Sequence, residues 1–191
     1  MPRNSIETRK RILTVAYRLF YKRGFTRVSM DAIAEAADVT KRSVYYHFES
    51  KDALVSAVLK DQQSHALALF ERWSNKPAGS VEVFLSNLFS ELERWAASPQ
   101  WRGSGYTRLT MELADLPGHP ARKAAREHKR AIEDWLALKL TDLGARHPKR
   151  LARETMLLFE GSMSLILIHA EPGYASAAAK AAAKLAGKNS G

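Results

Sequence analysis

Apolar residues recur along this chain at helical spacing from one end to the other. Ile12, Ala16, Leu19 and Phe20 make the stripe of a first helix, Asn4 and Glu7 have the form of a capping box at its start, and Gly24 ends it. Ser29 then caps a short helix with Ile33, Ala34 and Ala37 on its inner face. The next three residues, Ala37-Asp38-Val39, predict a tight turn whose middle residue takes a positive φ. Thr40 is a second cap. In the helix it starts, Val44 and Phe48 are four apart and face inward, leaving Lys41, Arg42, Ser43, Tyr45, Tyr46 and His47 outside. Ser50 caps a longer helix that opens at Lys51, continues through Leu54, Val58 and Leu59, and runs to about Trp73.

Past the Pro- and Gly-bearing loop at residues 75–80 the pattern stays helical. Ser80 caps a segment carrying Phe84, Leu88, Leu92 and Trp95, which ends near Pro99. A helix over 101–114 follows and stops before Pro117-Gly118-His119-Pro120. Two long helices over 121–143 and 148–170 come next, and an alanine-rich helix over 174–186 closes the chain with little apolar bulk to hold it. No strand-length alternation and no internal repeat appears. The expected fold is all-α. A three-helix unit with a helix-turn-helix occupies residues 1–52, and a larger helical domain occupies 53–191.

The helix-turn-helix stretch resembles the TetR family of transcriptional regulators. The resemblance rests on Gly24-Phe25, Ser29, the run Ile33-Ala34-Glu35-Ala36-Ala37, Val39-Thr40-Lys41, Val44-Tyr45-Tyr46-His47-Phe48 and Ser50-Lys51. It is specific, because unlike residue types recur at set offsets over about fifty positions. One position departs: the family usually has Gly in the turn where this chain has Asp38. A looser likeness, in Glu112-Leu113-Ala114-Asp115 and His119-Pro120-Ala121-Arg122, extends to the regulatory domains of many members and implies architecture only.

A helix set in the major groove presents its N-terminal side chains to base edges and its flanks to phosphates. Lys41 and Arg42 suit guanine O6 and N7, Ser43 a base or sugar-phosphate edge, and the Tyr46 ring a thymine methyl. By their match to family positions, Thr40, Tyr45, His47 and Lys51 are expected on the backbone. Free N–H groups behind Ser29 and Ser50 add anion sites there, and Arg27 joins them. One helix reads too few base pairs to find a site in a genome, so a homodimer on a palindromic operator is expected. The resemblance implies a four-helix interface from the 121–143 and 148–170 helices. Trp135, Leu136, Leu158, Leu165 and Ile166 are the candidates for it.

Charge agrees with this reading. The net charge is +10 and the pI about 9.9, which favours a polyanionic partner. Residues 1–51 hold eleven Lys and Arg against five Asp and Glu, so about a quarter of the chain carries more than half of the excess. There is no cysteine, hence no disulfide or thiolate metal site, and no signal-like apolar core follows Met1. The longest apolar run, residues 156–168, is interrupted by Glu160-Gly161-Ser162 and falls short of the ~20 residues a spanning helix needs. A cytoplasmic protein without a membrane partner is expected. His119, His128, His147 and His169 have no ligand spacing, and no nucleophile elbow, phosphate loop or His-Glu-x-x-His pair occurs, so neither enzyme nor cofactor is expected. Aromatic and Met residues of the larger domain, namely Phe84, Leu88, Trp95, Trp101, Tyr106, Met111, Met156, Phe159 and Met163, are the candidate lining of a pocket for an apolar small molecule that releases the repressor from DNA. The competing expectation is a non-specific, architectural DNA-binding protein without ligand response.

Overall fold

The computed structural model describes residues 3–187, and the side chains of Arg3 and Asn4, with them the expected capping box, lie outside what it describes. Hydroxyl caps start four of the helices where the sequence places them. Ser29 Oγ accepts from Ala32 N at 3.1 Å, Thr40 Oγ1 from Ser43 N at 3.1 Å, Ser50 Oγ from Ala53 N at 3.0 Å and Ser80 Oγ from Val83 N at 3.3 Å. Each satisfies one of the amides that a helix start leaves without an internal partner. In chain order the helices are α1 (Arg3–Arg23), α2 (Met30–Ala36), α3 (Lys41–His47), α4 (Lys51–Ser74), α5 (Val81–Ala96), α6 (Gly105–Glu112), α7 (Pro120–Asp142), α8 (Pro148–His169) and α9 (Gly173–Gly187). The described residues form no strand, and the fold is all-α.

Two units are built from these helices. The first runs to His65 and takes in Gly105–Glu127; the second comprises Ala66–Ser104 and the chain from His128 on. α6 and the first turns of α7 thus belong with the N-terminal helices. Ile12, Ile33, Val44 and Leu54 are fully buried in the first unit's main core. Each such side chain contributes about 1.5–3 kcal/mol by leaving water, and together they fix how α1, α2, α3 and α4 meet. A second cluster in the same unit joins Phe25, Val55 and Leu59 to Tyr106, Leu109, Leu113 and the small residues Ala121, Ala124 and Ala125.

The second unit has an aromatic core. Phe70 lies 5.5 Å from both Trp135 and Phe159, Trp73 lies 5.8 Å from Trp95, and Trp101 meets Trp95 edge-on at 6.0 Å. Trp135 Nε1 donates to the Glu71 carboxylate at 2.7 Å, so the buried indole keeps a hydrogen bond. The lack of bulk in α9 serves its packing: Ala175, Ala178, Ala182 and Ala186 are buried where the helix lies against α5 and α8.

One local expectation is corrected. α6 begins at Gly105, not at residue 101, because Gly103 turns at φ +76° and Trp101 is drawn into the second unit's core. Ala170 closes α8 at φ +56°, a left-handed end for which the sequence carries no glycine.

Candidate nucleic-acid interface

The helix-turn-helix is held from inside. Val44 is fully buried and Phe48 nearly so, which seats α3 on the first unit's core and turns its other side outward. Asp38 takes φ +50° in the turn, as expected of the position where the family has glycine. Its N–H donates to Glu35 O at 3.1 Å, the next amide, Val39 N–H, returns to Ala34 O at 3.0 Å, and Arg11 Nη2 donates to the Asp38 carbonyl at 3.4 Å. Polar contacts thus close the turn on both sides.

The expected base readers differ in their freedom. Arg42 is exposed, Ser43 half-buried, and Tyr46, 73% exposed, is the most open aromatic side chain on α3. Lys41 is exposed too, but its ammonium is 3.0 Å from the Asp31 carboxylate, a hydrogen bond that raises its pKa. Reading a base with Lys41 therefore means exchanging Asp31 for the base edge. The sequence shows Asp31 in the first turn of α2 but not that it reaches Lys41, ten residues on.

The expected phosphate contacts divide as well. Arg27 and Tyr45 are exposed, and Ser29 and Thr40 are exposed residues whose side-chain oxygens cap α2 and α3. His47 is half-buried against Tyr46 and Phe48; burial, then the nearby Arg9, lowers its pKa. Lys51 turns inward, with Nζ 4.4 Å from the Phe25 ring centroid and donating to Thr26 O at 3.3 Å, and burial lowers its pKa. Arg9, whose guanidinium lies 5.0 Å over the Phe48 ring, adds a positive group beside α3 that the helical stripe of α1 did not single out.

The expected pocket and interface residues do not all stand where the sequence reading put them. Phe84, Leu88, Trp95, Trp101, Met156, Phe159 and Met163 gather in the second unit's core. Tyr106 is in the first unit, where its hydroxyl donates to Leu59 O at 2.7 Å and burial raises its pKa, and Met111 is 66% exposed; neither belongs to that gathering. Trp135, Leu136 and Ile166 are buried in the second unit's core. Leu158 is half-buried, whereas Leu165 is exposed beside Leu157, Leu167 and Ile168 on α8, with Leu138 exposed on α7. Leu157, Leu165 and Ile168 fall at helical spacing on one outward apolar side of α8, and Leu165 is one of the expected residues. Among the described residues no helix is long and apolar enough to cross a membrane.

A short capped helix, a three-residue turn and a second capped helix with an outward basic and aromatic face define a helix-turn-helix DNA-binding domain, here carried with further helices. Residues 12–58 match the model of the tetR family of bacterial regulatory proteins. The chain is 39% identical over 90 residues to the HTH-type transcriptional regulator TtgR of Pseudomonas putida, covering 45% of this chain and 43% of that one. It is 42% identical over 108 residues to AcrR of Shigella flexneri, covering 56% and 47%. It thus spans less than half the length of these curated relatives. Over nearly its whole length it is similar to the crystal structure of a TetR-type transcriptional regulator from Streptomyces avermitilis, with TM-score 0.80, 28% identity and coverage of 94% and 98%. A TetR-family regulator from Streptomyces coelicolor shares the fold at TM-score 0.83, 23% identity and 97% coverage of each chain. Its N-terminal helices are thus a tetR-type helix-turn-helix, and the chain as a whole is similar to TetR-family regulators.

Proposed function

We propose that this protein is a sequence-specific transcriptional regulator that binds a palindromic operator as a homodimer, represses from it, and leaves it when the larger helical domain takes up a small apolar molecule. The observation that carries the reading is the exposed Arg42 and Tyr46 on a helix anchored by Val44 and Phe48, which presents a guanidinium and an aromatic ring on a rigid support. The outward stripe Leu157, Leu165 and Ile168 supports a two-fold partner, because a monomer would leave these side chains in water. Two copies would place their α3 helices on half-sites about one turn, ~34–36 Å, or a multiple of it apart. For the ligand, the support is the aromatic gathering around Trp95 and Trp101, where Trp101 Nε1 is buried without an acceptor and suits a ligand carrying one.

Selection of sites from random duplex DNA at near-physiological salt tests the DNA reading. An enriched palindrome is expected, and Arg42→Ala should weaken binding to it by about 1–3 kcal/mol and relax one position. Binding that only tracks salt, with no enriched sequence, would replace this reading with that of a non-specific DNA packer.

A further inference from the structure

The loop between α1 and α2 aims the helix-turn-helix, and the groups that hold it come from helices far along the chain. Gly24 leaves α1 at φ +83°. The next two amides, Phe25 N–H and Thr26 N–H, donate to Glu112 Oε2 at 2.8 and 2.9 Å, and the Thr26 hydroxyl is 3.2 Å from the same oxygen. On the other side of the loop Lys51 Nζ donates to Thr26 O and covers the Phe25 ring. One turn before Glu112, Arg108 Nη1 donates to Tyr21 O at 3.0 Å in the last turn of α1. Three residues beyond Thr26 lies Ser29, the cap of α2. A shift of this loop therefore moves the start of α2, and α3 follows through the turn.

The loop is held by apolar packing of Phe25, which is buried with Val55, Leu59 and Leu109, and by the polar bonds just described. Phe25 and Glu112 line a cavity with Phe20, Val55, Leu59 and Leu109, enclosing about 420 Å³ of space outside the atoms with its open mouth included. The ring is seated by this packing, and the Glu112 bonds fix the backbone amides at its edge. Gly24 fits the same account: a Cβ there would come within 3.1 Å of Glu112 Oε1, and its φ is one that other residues rarely adopt.

We propose that Glu112, at the C-terminal end of α6, is a positioning residue for DNA recognition. Its carboxylate clasps the Phe25-Thr26 amides and thereby sets the orientation of α2 and α3, so the affinity for a specific site depends on a side chain that touches no DNA. This rests on the DNA reading proposed above, and the test separates the two.

Amide hydrogen exchange on the full chain decides the clasp without DNA. Glu112→Ala should speed exchange at Phe25 and Thr26 about tenfold or more. Glu112→Gln, which keeps an acceptor oxygen, should retain most of the protection. Glu112→Asp, a methylene too short to reach, should behave as the alanine variant does. Unchanged exchange in the Ala and Asp variants overturns the proposal. On the selected operator and an unrelated duplex, Ala and Asp should lower operator affinity about tenfold while leaving the unrelated duplex within about twofold, because bulk charge dominates non-specific binding. Gln should restore operator binding to within about threefold. Equal loss on both duplexes, or operator binding by the Asp variant at the wild-type level, overturns it as well. Should the Ala variant fail to fold, the Gln and Asp variants carry the same contrast. If the wild type enriches no site, the DNA reading falls, while accelerated exchange in the Ala and Asp variants would still establish the clasp on the loop.

Discussion

Asp38 holds the turn of the helix-turn-helix at φ +50°, in a region where a side chain costs energy and glycine does not. Asp38→Gly should therefore stabilise the chain by up to about 1 kcal/mol, and Asp38→Val should destabilise it by ~1–2 kcal/mol, as read by urea denaturation. His128 makes a second prediction at this scale. Burial, with Lys129 beside it, lowers its pKa from 6.5 to about 4, so the folded chain favours the neutral ring and the unfolded chain takes up the proton first. Its contribution is complete above about pH 6.5 and is lost as the pH falls toward about 4. Denaturation across that window should show the loss in the wild type and a shallower slope in His128→Gln.

Elements were legible wherever a local rule fixes them. A hydroxyl before an apolar stripe announced α2, α3, α4 and α5, and all four caps are made. The all-α class and the inward Val44 and Phe48 followed from periodicity alone. What the sequence could not supply are contacts between residues far apart in the chain. Glu112 meeting Phe25 and Thr26, Tyr106 meeting Leu59, and Lys51 folding onto Phe25 depend on tertiary packing and leave no periodic trace. The rotation of α8 is another such case: several of its faces are apolar, so the pattern did not say which would be buried, and Ile166 and Leu165 were read alike. Cap chemistry gives predictions here. Thr40→Ala should cost about 1 kcal/mol, with α3 fraying first in hydrogen exchange. Ala170→Gly should raise the midpoint of thermal unfolding, since glycine relieves the left-handed end of α8, worth up to ~1–2 kcal/mol.

At the scale of the molecule, the proposed dimer places Leu157, Leu165 and Ile168 of each copy against the other. Leu165→Glu combined with Ile168→Glu should leave the protomer fold intact by circular dichroism, because neither side chain is buried in it. The variant should elute as a monomer by size exclusion with light scattering and lose operator binding. A dimer at micromolar concentration would remove this face from the interface.

The aromatic core has an optical consequence. All four tryptophans, Trp73, Trp95, Trp101 and Trp135, lie in the second unit, whereas Tyr17, Tyr21, Tyr45, Tyr46 and Tyr106 lie in the first. Indole emission is therefore a built-in reporter of one half of the protein and is blind to the half that carries α3. A melt followed by that emission and one followed by helical ellipticity will coincide only if both halves unfold in a single step, so two spectra of one unlabelled sample measure whether they are thermodynamically one body.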